Sequence, residues 1–252
     1  MTKTPPLIIG LPANGRLAEE CAPLFEALEL SGRQGRLTSP FVPDAVFRKL
    51  RVKDIARLIK FETFGLGIMG DDTALEEMVT INGLQPPRPG EDGLRRIKAP
   101  NKLATFNTGA PSTLTLMAKE EEAGALRRNV DQGPRPRGRL LTSYPRSVGL
   151  LIKSRPDLDL CALTLEPSFD GQLESIVRNG DVPNVRGAVD VVKTGRTLKE
   201  FGLTRVADLL ESRPGLWSSP FVNRGPLCGP LAQLDDVAGA LRERLTAFMI
   251  AE

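Results

Sequence analysis

Apolar residues in this chain come in short runs separated by turn formers. Residues 7–11 (Leu-Ile-Ile-Gly-Leu), fenced by Pro6 and Pro12, predict a buried strand. A turn at 12–17 leads into Leu17, Cys21, Leu24, Phe25 and Leu28, the stripe of a helix over 17–30. Strand, glycine turn and helix in that order predict an α/β protein. The pattern continues with a strand at 45–52 and a helix at 53–60 that places Ile55, Leu58 and Ile59 on one face. A glycine-rich strand at 64–70 then ends in Asp71-Asp72, and a helix starts over 73–79. Residues 84–100 carry Pro86, Pro87, Pro89 and Pro100 and read as a loop. Residues 102–118 regain β-branched character and cross to a second lobe. Residues 127–139 hold five arginines against one aspartate, a solvated basic loop with a phosphate clamp as the alternative. A strand at 139–145, a helix at 148–152, a strand at 158–165, a helix at 173–179 ending at Gly180, a strand at 188–192, an apolar run at 206–210 and a last helix at 234–250 complete the reading.

The most informative stretch is Asp190-Val-Val-Lys-Thr-Gly-Arg-Thr-Leu-Lys-Glu-Phe-Gly-Leu203. A strand runs into a glycine turn between two threonines and then into a helix. That arrangement gathers backbone N–H groups, two hydroxyls and a helix N-terminus, which suits a phosphate. A helix capped by threonine is the plainer alternative. Asp190, just ahead of the turn, is placed to reach sugar hydroxyls.

Composition narrows the chemistry. The net charge of +3, from 34 basic and 31 acidic residues, and the 5% aromatic content favour neither a nucleic-acid partner nor a single-strand stacking platform. The chain has no histidine, which removes histidine general bases, catalytic triads and histidine metal sites. Cys21, Cys161 and Cys228 show no zinc or disulfide spacing and read as free thiols of a cytoplasmic protein. No apolar run reaches membrane-spanning length, and the N-terminus lacks a signal peptide's apolar core, so no membrane role is expected.

Five segments, in order, resemble the ATP phosphoribosyltransferase family of histidine biosynthesis. The stretch from Asp190 to Leu203 is similar to the family's Asp-Leu-Val-x-Thr-Gly-x-Thr-Leu-x-x-Asn-Gly-Leu. Leu11-Pro-Ala-Asn-Gly-Arg-Leu17 stands against a strand followed by Lys-x-Gly-Arg-Leu. Arg51-Val-Lys-Asp-Ile55 and Gly65-Leu-Gly-Ile-Met-Gly70 stand against Arg-x-x-Asp-Ile-Pro and Asp-Leu-Gly-Ile-x-Gly. Leu141-Thr-Ser-Tyr-Pro145 and Gly171-Gln-Leu-Glu174 stand against Ala-Thr-x-Tyr-Pro and Gly-Ser-Val-Glu. The chain departs from the family at Ala13, Gly65 and Phe201, and Arg186 takes the place of an acidic residue.

The resemblance implies a two-lobed, periplasmic-binding-protein-like (type II) α/β fold with a cleft between lobes. Residues 1–103 form the first part of lobe I, 104–204 lobe II, and 205–252 the return to lobe I. It implies transfer of 5-phosphoribose from phosphoribosyl pyrophosphate to a ring nitrogen of ATP, with Mg²⁺ carried by pyrophosphate. It also implies a short form working as a homo-oligomer, with a regulatory subunit. Thr194, Gly195, Arg196 and Thr197 fall to the 5-phosphate and Asp190 to the ribose diol. Arg16 is assigned to pyrophosphate or the acceptor's phosphates, with a surface ion pair as the alternative. Glu174 faces the acceptor or sugar, or is a solvated helix carboxylate. Tyr144 is a site residue or packs under its loop. Gly15, Arg51 and Asp72 are carried over as substrate-binding positions, and Asp71 and Asp72 otherwise read as first-turn acids of a helix. The departures leave two rivals open: another nitrogen heterocycle as acceptor, and a non-catalytic binding protein on the same fold.

Overall fold

The structure is a computed structural model, and it describes residues 6–33, 35–60, 64–82, 101–127, 137–155, 157–158, 163–167, 173–218 and 231–250. The chain divides into two compact units, residues 1–110 with 213–252, and residues 111–212. The predicted loop at 84–100 lies outside the described residues, as does the 128–136 part of the basic segment.

The first unit opens with β1 (Leu7–Pro12), α1 (Gly15–Glu20) and α2 (Ala22–Ala27). The single helix predicted over 17–30 is two, because Pro23 lacks an N–H for the ladder and sits in the first turn of α2. The stripe survives the break: Leu17, Cys21, Leu24 and Leu28 are all buried. Burial pushes the Cys21 thiol up from 9.0 to about 12, with the nearby Glu20 carboxylate adding to the effect. The native state therefore holds this proton, and stability falls as pH rises from about 9 to about 12. Native protein at pH 8.5 is expected to resist alkylation at Cys21, read by mass spectrometry, and to react there in urea.

Next come β2 (Ser31–Arg33), β3 (Arg36–Ser39), β4 (Val42–Leu50), α3 (Val52–Lys60), β5 (Leu66–Gly70), α4 (Asp71–Asn82) and β6 (Asn101–Thr105). The second unit holds β7 (Ser112–Ala118), α5 (Glu120–Leu126), β8 (Gly138–Thr142), α6 (Pro145–Lys153), β9 (Leu163–Pro167), α7 (Leu173–Asn179), β10 (Val185–Val192), α8 (Arg196–Glu200) and β11 (Thr204–Ser212). The chain returns to the first unit with β12 (Pro214–Ser218), α9 (Leu231–Arg244) and a 3₁₀ turn at Thr246–Phe248.

The first unit is a seven-stranded sheet ordered β2-β3-β4-β1-β5-β12-β6. Its centre, β4-β1-β5, is parallel. Both faces are covered, which is why β1 and β5 are apolar throughout. Ile9, Leu11, Phe47, Leu66 and Ile68 pack on one side with Leu24 and Leu241, and Ile55, Ile59, Met69 and Trp217 pack on the other. On that second side Gly10 and Gly67 pair across β1 and β5 and form a floor for α3. A Cβ at Gly10 would lie 2.7 Å from Ile55 Cγ2, and one at Gly67 2.5 Å from the same atom.

The second unit's sheet is ordered β11-β7-β10-β8-β9. β8, β9, β10 and β11 run the same way and β7 runs against them. Strand β11 corrects the expected return at 205. It pairs with β7 from Thr204↔Ala118 to Ser212↔Ser112, so the chain returns only at Arg213. Helix α5 forms where the hydrophobic pattern predicts no element: its first turn is Glu120-Glu121-Glu122, acids suited to a helix N-terminus, and Ala123 and Leu126 are buried.

Asp71 stitches the first unit together. Its carboxylate accepts from Lys102 Nζ at 2.6 Å and from the Arg213 backbone N–H at 3.0 Å, and Lys102 lies 5.5 Å from the Trp217 ring centroid. Asp71 thus joins α4, β6 and the residue that leads into β12. Asp71→Ala is expected to lower stability by about 2 kcal/mol in urea unfolding. Among the described residues no helix is long and apolar enough to cross a membrane.

Candidate active site

In the second unit, β8, β9 and β10 deliver their carboxyl ends to one edge, where ligands of open α/β sheets bind. β8 ends in Thr142, whose Oγ1 accepts from the Tyr144 N–H at 3.0 Å. Tyr144 caps α6, and its ring packs against the unit's core, so the packing alternative describes it. Helix α7 follows β9 and carries the half-exposed Glu174 in its first turn.

β10 outruns β8. Their pairing stops at Val189↔Thr142, which leaves Asp190–Val192 beyond the ladder on that side. The Asp190 carboxylate accepts from the Val191 N–H at 2.8 Å. Side chains alternate along a strand, so Asp190 shares the face of Ala188 and Val192, on which α7 and α8 pack.

Beyond Val192 the chain turns through Lys193 and Thr194 to Gly195. Gly195 caps α8 with φ +69, a left-handed conformation that glycine adopts without strain. The cap residue itself has no side chain to bond the first turn, so any side-chain contact there comes from the flanking threonines. The first ladder donor is the Lys199 N–H, to the Gly195 carbonyl, which places the amides of Arg196, Thr197 and Leu198 ahead of it in the first turn. Thr194 Oγ1 accepts from the Arg196 N–H at 3.4 Å. The Arg196 side chain turns away along the helix to Glu200 Oε1 at 2.7 Å, so its part in the turn belongs to its amide. Lys193, exposed in the same turn, is a cation absent from the sequence-based assignment. Thr197→Ala is expected to raise KM for a phosphorylated sugar more than Arg196→Ala does, in steady-state kinetics.

In the first unit, parallel β1, β4 and β5 likewise end at one edge and bring Gly15, Arg16, Arg51 and Asp72 to it. Gly15 has φ +73 and Arg51 is exposed at the head of α3. Asp72, carried over as a substrate-binding position, is 2% exposed and stands 4.0 Å from Arg16 Nη2, so its carboxylate lies buried beside a protein cation.

A family model described as ATP phosphoribosyltransferase, HisG, matches residues 51–224, more than half of the chain. The chain belongs to the ATP phosphoribosyltransferase family. An ATP phosphoribosyltransferase from Moorella thermoacetica is 28% identical over 214 residues, covering 82% of this chain and 80% of that protein. Among solved structures, an ATP phosphoribosyl transferase HisG:HisZ complex from Thermotoga maritima superposes with a TM-score of 0.64 at 17% identity, covering 96% of this chain and 98% of that one. A Candida albicans protein described as having the generic periplasmic binding protein fold reaches 0.52 at 12% identity, covering 96% and 70%. These two likenesses bear on fold alone. The family and the two-lobed α/β class expected from the five motifs are both borne out.

Two of this family member's departures have packing reasons. A Cβ at Gly65 would meet Leu7 Cδ1 at 2.5 Å and Leu234 Cδ1 at 3.1 Å, so the family's aspartate would have to displace two leucine methyl groups here. Phe201, at the end of α8, packs against the core cluster that contains Leu198 and Leu203. Arg186 is tied to Glu122 of α5 at 2.6 Å and to the Arg137 carbonyl at 3.1 Å, anchoring that helix to β10.

Proposed function

We propose that the protein transfers the 5-phosphoribosyl group of phosphoribosyl pyrophosphate, taken as its magnesium complex, to a ring nitrogen of ATP. The C1–oxygen bond to pyrophosphate breaks, the C1–nitrogen bond forms, and pyrophosphate leaves. This is the first step of histidine biosynthesis. The observation that carries the reading is the strand–turn–helix from Asp190 to Glu200, inside the family match and at a carboxyl edge of parallel strands.

The amides and hydroxyls of the turn from Thr194 to Thr197 suit the 5-phosphate. Asp190 takes the ribose hydroxyls, where its negative charge also favours the positive charge that grows on the sugar as pyrophosphate departs. Glu174 is the acceptor-side or sugar-side carboxylate. In the first unit, Arg16, Arg51 and the amide of Gly15 are assigned to the substrates' phosphates, the guanidinium being a forked phosphate donor. No general base of the histidine kind is required, since positioning and preorganised charge carry the reaction.

ATP is the acceptor the family indicates, and the packing at Gly65 and Phe201 removes part of the motive for another heterocycle. Pyrophosphate release measured with Mg²⁺, phosphoribosyl pyrophosphate and ATP is expected to show turnover. Turnover with another heterocycle and none with ATP would replace the acceptor. Absence of donor binding in calorimetry would refute the enzyme reading in favour of a binding protein. The Thermotoga maritima neighbour comes from a two-component complex, and by that likeness we propose a cytoplasmic oligomer that works with a regulatory subunit.

A further inference from the structure

We propose that Asp72 is a positioning residue for Arg16, holding its guanidinium at the carboxyl edge of β1 and β5 with its hydrogen-bonding capacity unspent. This rests on the assignment of Arg16 to the substrates' phosphates. Arg16 lies in the first turn of α1 and Asp72 in the first turn of α4, helices that begin where adjacent parallel strands end. Two carboxylates flank the guanidinium from different elements. Glu20 Oε1 is 3.8 Å from Nε, and Asp72 Oδ2 is 4.0 Å from Nη2. Their side chains are only 6% and 3% exposed, against 31% for Arg16.

Both distances exceed hydrogen-bond length, so the attraction is Coulombic and consumes no N–H. Nη1 is shut from solvent and has no hydrogen-bond partner among the described residues. An arginine serving only as a structural tie would spend its fork on its carboxylates. Here the acids fix where the charge sits and leave the donors for an anion. A buried donor without a partner is a cost that an arriving phosphate oxygen can relieve, given a small movement of the side chain. Arg16 precedes the span matched by the family model, so this arrangement is read from the chain's own geometry.

The test uses the full-length protein with Arg16→Ala, Asp72→Asn and the double variant, each checked by circular dichroism and thermal melting. Asp72→Asn is expected to lower kcat/KM for phosphoribosyl pyrophosphate by roughly tenfold or more. The double variant should fall no lower than Arg16→Ala. Free guanidinium ion should restore activity to Arg16→Ala but not to the double variant, because Asp72 is what holds the cation. Asp72→Glu, which keeps the charge, should recover part of the loss. If Asp72→Asn has no melting transition, Asp72→Ser repeats the comparison. A wild-type kcat/KM in folded Asp72→Asn, multiplying losses in the double variant, or equal guanidinium rescue with and without Asp72 would each overturn the proposal. Wild-type activity in Arg16→Ala would instead refute the assignment of Arg16 itself.

Discussion

Asp190→Ala is expected to reduce phosphoribosyl transfer by about 100-fold or more, the scale on which losing one preorganised charge or donor is felt in a transition state. Pyrophosphate release with saturating ATP reads the loss, and a melting curve separates it from unfolding. The folded state should tolerate the change. The Val191 N–H that Asp190 accepts lies past the end of the β8 ladder, where the side chain is only half-buried, so water can take over the contact. A carboxylate whose main role is in the sugar's charge development should change kcat as well as KM for the donor. An unchanged kcat/KM would remove Asp190 from the site.

The largest effect on stability is expected at Gly67. Its Cα faces α3, where a Cβ would come within 2.5 Å of Ile55 Cγ2 and 2.7 Å of Ile59 Cδ1. Both isoleucines are fully buried and Ile55 is β-branched, so neither has an easy rotamer to retreat to. Gly67→Val should cost about 3 kcal/mol or more, at the upper end for overpacked cores. Urea denaturation gives the number. Gly67→Ala combined with Ile55→Ala should be more stable than the sum of the single losses implies, because one change opens the space that the other fills. Strictly additive losses would show that the helix is not seated on this floor.

The parallel cores were legible because their strands are short apolar runs between turn formers, and the strand–turn–helix after Asp190 because a glycine stands between two threonines just past an apolar run. The motifs placed Tyr144, Glu174, Asp190 and the Thr194–Thr197 turn in one lobe; all fall in the second unit, where the carboxyl ends of the parallel strands share one edge. Other parts were not legible, for physical reasons. β2 is exposed throughout, so it has no hydrophobic alternation to betray it. β12 begins Pro214-Gly215 and looks like a turn, yet proline is tolerated as a strand's first residue and all of Pro214–Ser218 is buried. The two-helix break at Pro23 was visible in the sequence but outweighed by an unbroken stripe. The pairing of Arg16 with Asp72 joins residues more than fifty positions apart and depends on two strands being neighbours. Its local half, Arg16 and Glu20 one helical turn apart, was the signal available.

β12 is an inner strand, hydrogen-bonded to β5 on one side and β6 on the other. It is also made late. Once residues 111–212 have emerged from the ribosome every strand of the second sheet is available, while the first sheet still has a gap between two strands synthesised about a hundred residues or more earlier. The second unit can close on itself during translation; the first must keep two unpaired edges apart from other chains until Pro214–Ser218 arrives to fill the space.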